Sequence, residues 1–184
     1  MTQSNLYTSL LAGMTMMIVT QIALAAPIQK RTDYSAAVDR ASAVYKDARA
    51  KCDALKGNQK DVCVAEAKAA EKRAKAEAEV NYKGTVKART NARIANAEAD
   101  YMVANTKCDA LTGNEKNVCV TEAKAKQTKA IADAKANKTA ADARADAHED
   151  TRDAEYKVAL AKCDAQTGAA KDSCVRSAKS AFGK

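Results

Sequence analysis

Lys51-Cys52-Asp53-Ala54-Leu55-Lys56-Gly57-Asn58-Gln59-Lys60-Asp61-Val62-Cys63-Val64 is the stretch from which the fold of this chain is read. Its two cysteines stand eleven residues apart, with Gly57-Asn58 near their midpoint. Glycine at a helix C′ position followed by asparagine as an N-cap ends one helix and starts the next. The stretch therefore predicts a tight αα-hairpin. Cys52 lies five residues before Gly57 and Cys63 six after it. Residues equidistant from an antiparallel turn face each other, so the two sulfurs can meet within the usual Cα separation limit of about 7 Å.

The pattern recurs twice. A second copy runs from Tyr101 through Cys108-Asp109-Ala110-Leu111-Thr112-Gly113-Asn114-Glu115-Lys116 to Cys119-Val120. A third runs from Tyr156 through Cys163-Asp164-Ala165, Thr167-Gly168 and Lys171 to Cys174-Val175. Tyrosine precedes the first cysteine by seven residues each time, and the copies are 55 or 56 residues apart. A fixed period of this length marks an array of supersecondary units. Six cysteines allow 15 pairings, and the repeat singles out Cys52–Cys63, Cys108–Cys119 and Cys163–Cys174. The turn residues are then Gly57, Asn58, Gly113, Asn114 and Gly168. Gly168 is followed by Ala169, so the third hairpin is expected to be less well capped. Each short loop closed by a disulfide contributes about 3 kcal/mol.

Outward from the tips, apolar positions step by three and four, a heptad seam. In the first copy it is Leu55, Cys52, Ala48, Tyr45, Ala41, Val38 and Tyr34. In the second it is Leu111, Cys108, Ala104, Tyr101, Ala97, Ile94 and Thr90. In the third it fails upstream of Tyr156, at Arg152 and Glu149. Beyond the tips the stripe continues as Cys63, Ala67, Ala70 and Ala74, and as Cys119, Ala123 and Ala130. Asp47→Lys51, Glu71→Lys75 and Glu122→Lys126 are i,i+4 pairs in the favourable order. One Pro and six Gly among 184 residues leave few helix breakers. Helices are expected over 33–56, 59–82, 86–112, 115–166 and 170–182, with a break at Gly84-Thr85 and the continuity near Asn137-Lys138-Thr139 left open. The expected fold is all-α, an elongated array of three disulfide-stapled antiparallel hairpins with long Ala-rich, coiled-coil-like helices. Its units are 33–84, 85–139 and 140–184, after a short linker at 26–32.

Residues 6–25 form a short apolar stretch ending in Ala23-Leu24-Ala25. Small residues at its first and third final positions fit a signal-peptidase site, with cleavage before Ala26 or Pro27. Residues 1–25 are thus read as a signal peptide, although no Lys or Arg precedes the apolar run, so a retained anchor stays open. After cleavage no membrane span is expected. Cysteine pairs behind such a signal point to an oxidising compartment, the periplasm.

The residues that chemistry requires are missing from the pattern. The single His148 sits in Ala-Asp-Ala-His-Glu-Asp, far from every cysteine pair, and no C-x-x-C or glycine-rich phosphate loop occurs. Acidic residues are interleaved with lysines at salt-bridge spacing. No catalytic residue, cofactor or metal is therefore expected. The net charge of +8 favours an acidic partner, an envelope protein or an anionic envelope surface. Nucleic acid is disfavoured, because basic and aromatic residues do not interleave.

Lys-Cys-Asp-Ala-Leu-x-Gly-Asn-x-Lys-x-Val-Cys-Val-x-Glu-Ala-Lys at 51–68 and 107–124, within Ala/Lys/Glu-rich helices, resembles the alanine/lysine-rich periplasmic repeat proteins of proteobacteria, often labelled TolA-like or cell envelope biogenesis proteins. The resemblance spans most of 33–184 and is specific in its cysteine spacing. It implies a non-enzymatic structural or interaction protein of the cell envelope. The alternative it leaves is a periplasmic chaperone or stress-response protein that holds unfolded or acidic clients. TolA's C-terminal domain has no counterpart here, so TolA's own role is not carried over. Oligomeric state is not readable at this level.

Overall fold

A computed structural model describes the backbone of residues 22–184 and side chains from residue 29 onward. The segment read as a signal peptide, 1–25, lies almost wholly outside the described residues. Five helices follow in order: α1 (Ile22–Lys51), α2 (Gly57–Lys83), α3 (Val86–Cys108), α4 (Gly113–Cys163) and α5 (Gly168–Phe182). A single 3-10 turn, Cys52–Ala54, closes α1. No strand occurs among the described residues.

The breaks have local causes. Gly84 takes a left-handed φ of 62° and donates its N–H to the Val80 carbonyl at 2.8 Å, which ends α2. Thr85 then caps α3, its Oγ1 accepting from Ala88 N–H at 3.1 Å. Between the second and third copies the matching stretch is Lys138-Thr139-Ala140, one residue shorter and without glycine. With neither device present, α4 runs unbroken for 51 residues, about 76 Å at 1.5 Å per residue. The expected unit boundary at 139/140 thus falls inside a helix. So does the expected linker 26–32, which belongs to α1; apart from Pro27, near the start of the helix, nothing in it breaks helical geometry.

Each helix packs on its neighbours in sequence: α1 on α2, α2 on α3, α3 on α4, and α4 on α5. The result is a row rather than a bundle around one centre. The chain accordingly exposes 14270 Å², against about 8,500 Å² for a compact monomer of its mass.

The core is thin. It consists almost entirely of alanines, and its largest fully buried side chains are Cys52, Cys108 and Cys163. The seams ahead of the tips hold: Ala41, Thr90 and Ala97 are buried, and Tyr34, Tyr45, Ile94 and Tyr101 half-buried. Their outermost members do not. Leu55 and Leu111 lie beyond the first cysteine, where the chain has left the helix, and are 38% and 36% exposed. The stripes after the tips need a larger correction. Ala67 and Ala123 are buried, but Ala70, Ala74 and Ala130 are exposed, and Ala65, Ala69 and Ala78 are buried instead. α2 lies between α1 and α3, so it buries two sides, which a single heptad stripe does not describe. Of the three expected i,i+4 pairs, Glu71–Lys75 closes at 2.6 Å; elsewhere lysine or arginine pairs differently, as in Arg49–Asp53 and Lys129–Asp133.

Candidate functional site

The three tips are built alike. Gly57, Gly113 and Gly168 each open the second helix of a hairpin with φ of 55°, 55° and 59°. Space is free around each of them, so the requirement for glycine is the backbone angle and not crowding. The chain thereby reverses within a few residues and brings the cysteines together: Cys52–Cys63, Cys108–Cys119 and Cys163–Cys174 are all bonded, with Cα separations of 5.7, 5.7 and 5.6 Å. All six cysteines are used.

Asn58 and Asn114 were expected to cap the second helices, and they do not. The residues that precede those helices are Lys56, Thr112 and Thr167, none with a side-chain cap bond. The third tip, with Ala169 in the asparagine position, adopts the same geometry, so the turn does not depend on asparagine. Asn58 is used sideways: its Nδ2 donates to the Thr106 carbonyl at the end of α3, at 2.7 Å. Asn114 is exposed, in a shallow groove with Val118, Thr121, Glu122 and Ala125.

Each tip also carries an ion pair across the turn: Lys60–Asp53 at 2.9 Å, Lys116–Asp109 at 3.0 Å and Lys171–Asp164 at 2.9 Å. The sequence signal was present as Asp-x6-Lys in all three copies. It was missed because helix-surface reasoning pairs residues four apart, whereas this pair spans a turn. Lys60, and then Arg49 at 2.8 Å, hold the Asp53 carboxyl below the usual carboxylate range. Lys184 does the same for Asp153, at 2.6 Å, where the chain end meets α4.

Between hairpins the contacts are also charged. Glu66 meets Lys107 at 2.9 Å, Lys72 meets Glu98, and Arg73 meets Asp100 across α2 and α3. Glu71 is half-buried between α1 and α2. Lys75 chiefly, and Ser42 donating at 3.2 Å, keep its carboxyl ionised more readily than usual. Among the tyrosines, Tyr34 stacks on Tyr82 at 5.0 Å and Tyr156 packs against Phe182 at 5.8 Å. Lys124 lies over the Tyr101 ring, 5.1 Å from its centre. His148 is exposed on α4.

Among the described residues no group of three His, Cys, Asp or Glu side chains is placed to hold a metal ion, and no helix is long and apolar enough to cross a membrane. What the arrangement offers is a rigid surface of alternating charge with stapled tips. No protein-family model, curated protein or solved structure matches this chain.

Proposed function

We propose that this chain is a non-enzymatic structural or interaction protein, exported to the periplasm, in which α4 serves as a stiff spacer within the cell envelope. The observation that carries this reading is α4 itself: 51 helical residues with a disulfide at each end. Cys108–Cys119 ties its start to α3, and Cys163–Cys174 ties its end to α5. Such a rod fixes the separation of two stapled tips by about 76 Å. Disulfides persist in oxidising compartments, which supports export. Pro27 adds to it: cleavage before Ala26 would leave Pro27 in the first turn of α1, where a missing N–H costs nothing. A net charge of +8 supports an anionic envelope component as the partner. The chaperone reading draws less support, because large exposed apolar side chains are few among the described residues: Val44, Leu55, Tyr82, Leu111, Val118 and Val158.

The test has two stages. Intact mass of the protein from a periplasmic extract, before and after reduction, is expected to lack residues 1–25 or 1–26 and to rise by the six hydrogens of three reduced disulfides. A full-length mass with free thiols would overturn export. A deletion strain is then expected to become detergent-sensitive and to be rescued by the full chain but not by one with α4 shortened by whole turns. Equal rescue by both would sink the spacer role; an unchanged envelope would sink the envelope role.

A further inference from the structure

We infer that α4 pairs antiparallel with α4 of a second copy of this chain, the 140–163 segment of each copy covering the face that runs from Asn114 to Lys129 on the other. The inference rests on the fold alone and is independent of the spacer role.

The first repeat supplies the template. There α3 covers one side of α2. Asn58 donates to the Thr106 carbonyl, Glu66 meets Lys107, Arg73 meets Asp100, and Ala65 and Ala69 are buried beneath them. In the second repeat the same face lies fifty-six residues on, and it is bare. Asn114, Thr121, Ala125 and Lys129 are exposed where Asn58, Ala65, Ala69 and Arg73 are buried or half-buried, and Val118 is 48% exposed where its counterpart Val62 is half-buried; Glu122 is exposed, as Glu66 is. One amino-acid pattern is thus covered in one copy and open in the next, so the exposure is not a property of the residues themselves.

The helix that ought to cover it exists. Fifty-five residues beyond Thr85–Cys108 lies the 140–163 segment, but the loss of the Gly84-Thr85 bend makes this segment continue straight on from 113–139 as part of α4. It cannot fold back on the helix it belongs to. Its own matching face is also bare: Ala154 is exposed where Ala99 is fully buried, and Val158 is 54% exposed where Val103 is half-buried. Exchange of an identical element between copies is a low-cost route to a dimer.

Charge supports the exchange. Two of the three ion pairs that seat α3 on α2 have counterparts of unchanged sign in the bare faces, whereas Lys72–Glu98 becomes Thr128 and Asp153 and is lost. Glu66–Lys107 becomes Glu122 and Lys162, and Arg73–Asp100 becomes Lys129 and Glu155. Both of these pairs are centred on the same residue, Asp142. That is the condition for two identical antiparallel helices to satisfy every pair at once about one two-fold axis, a closed and self-complementary interface. Meanwhile Lys129, in the single chain, reaches Asp133 on its own helix at 2.7 Å and stays largely exposed.

The test is sedimentation equilibrium of the chain purified from periplasm with its disulfides intact. The expected species is a dimer. Glu122→Lys or Lys162→Glu alone should raise the dimer Kd about tenfold, since each pair occurs twice and like charges then oppose. The double variant should restore it. Circular dichroism verifies that each variant is folded. Carbodiimide coupling of mixed light and heavy-isotope protein should join Glu122 of one copy to Lys162 of the other. Replacing Ala140 by Gly-Thr restores the bend; it should let 140–163 fold back on its own chain and yield a monomer of the same helicity. A chain that stays monomeric at every concentration overturns the inference, as does a dimer indifferent to the charge reversals or cross-linked through another face. Capture of a different protein by this face of a monomeric chain overturns it equally.

Discussion

At the three tips one glycine angle and one ion pair set the local structure. Gly57, Gly113 and Gly168 hold a positive φ that an L side chain adopts only at a cost of about 1 kcal/mol. Gly113→Ala is expected to lower the unfolding free energy by about that amount, measured by urea titration with disulfides intact. Asn58 is not a cap but a tie between tip and α3. Asn58→Ala should therefore cost about 1 kcal/mol through loss of that bond, and amide exchange should rise at the end of α3 rather than at the start of α2. The carboxyls of Asp53, Glu71 and Asp153 are all held below their ordinary values by lysines. A depressed carboxylate contributes stability above its unfolded value, about 3.9 for Asp, and that stability is lost as pH falls through the lower folded value. The thermal midpoint is thus expected to fall on acidification between about pH 5 and about pH 2, and Asp53→Asn should make the fall shallower. An unchanged pH profile in that variant would refute the role given to Asp53.

Among the elements, α5 is the most dependent on its staple. It has 15 residues, a length at which an isolated helix is marginal, and it packs on α4 alone. Besides Cys163–Cys174 it is tied by the Tyr156–Phe182 contact and by Arg152 donating to the Phe182 carbonyl at 2.8 Å. Replacing both Cys163 and Cys174 by serine should remove about 3 kcal/mol. Amides of α5 should then exchange first while those of α2, flanked on both sides, stay protected. Exchange spread evenly over the chain would contradict this order. At the same scale the limits of sequence reading are visible. The seam of α3 from Thr90 to Cys108 was legible, although α3 also lies between two helices and buries Ala88, Ala92 and Ala99 off that seam. The stripe of α2 was not, because α1 and α3 bury Ala67 and Ala65 from opposite flanks, and alanine-rich helices carry no large side chains to distinguish one apolar side from another.

For the whole molecule, a row of helices predicts an extended particle. Small-angle scattering should give a radius of gyration well above the ~16 Å of a compact globule of this length, and a maximum dimension of at least about 76 Å set by α4. A core of alanines buries little area, so the three staples rival the stability of an ordinary domain, about 5–15 kcal/mol. Full reduction is expected to abolish most of the helical signal at a temperature where the oxidised chain is intact. The sequence by itself determined what depends on near neighbours: helix wherever breakers are absent, a hairpin at each Cys-x10-Cys, its pairing of sulfurs, and the bend at Gly84-Thr85. Only the tertiary structure decided what depends on a third element. It turned Asn58 toward Thr106, left Leu55 and Leu111 outside, joined Lys138-Thr139-Ala140 into one rod, and bared the face of α4 that its counterpart in α2 buries. The physical reason is that turn chemistry is local and written in a few residues, whereas the covering of a helix face is set by where another helix is carried, and here the loss of one bend carried it away.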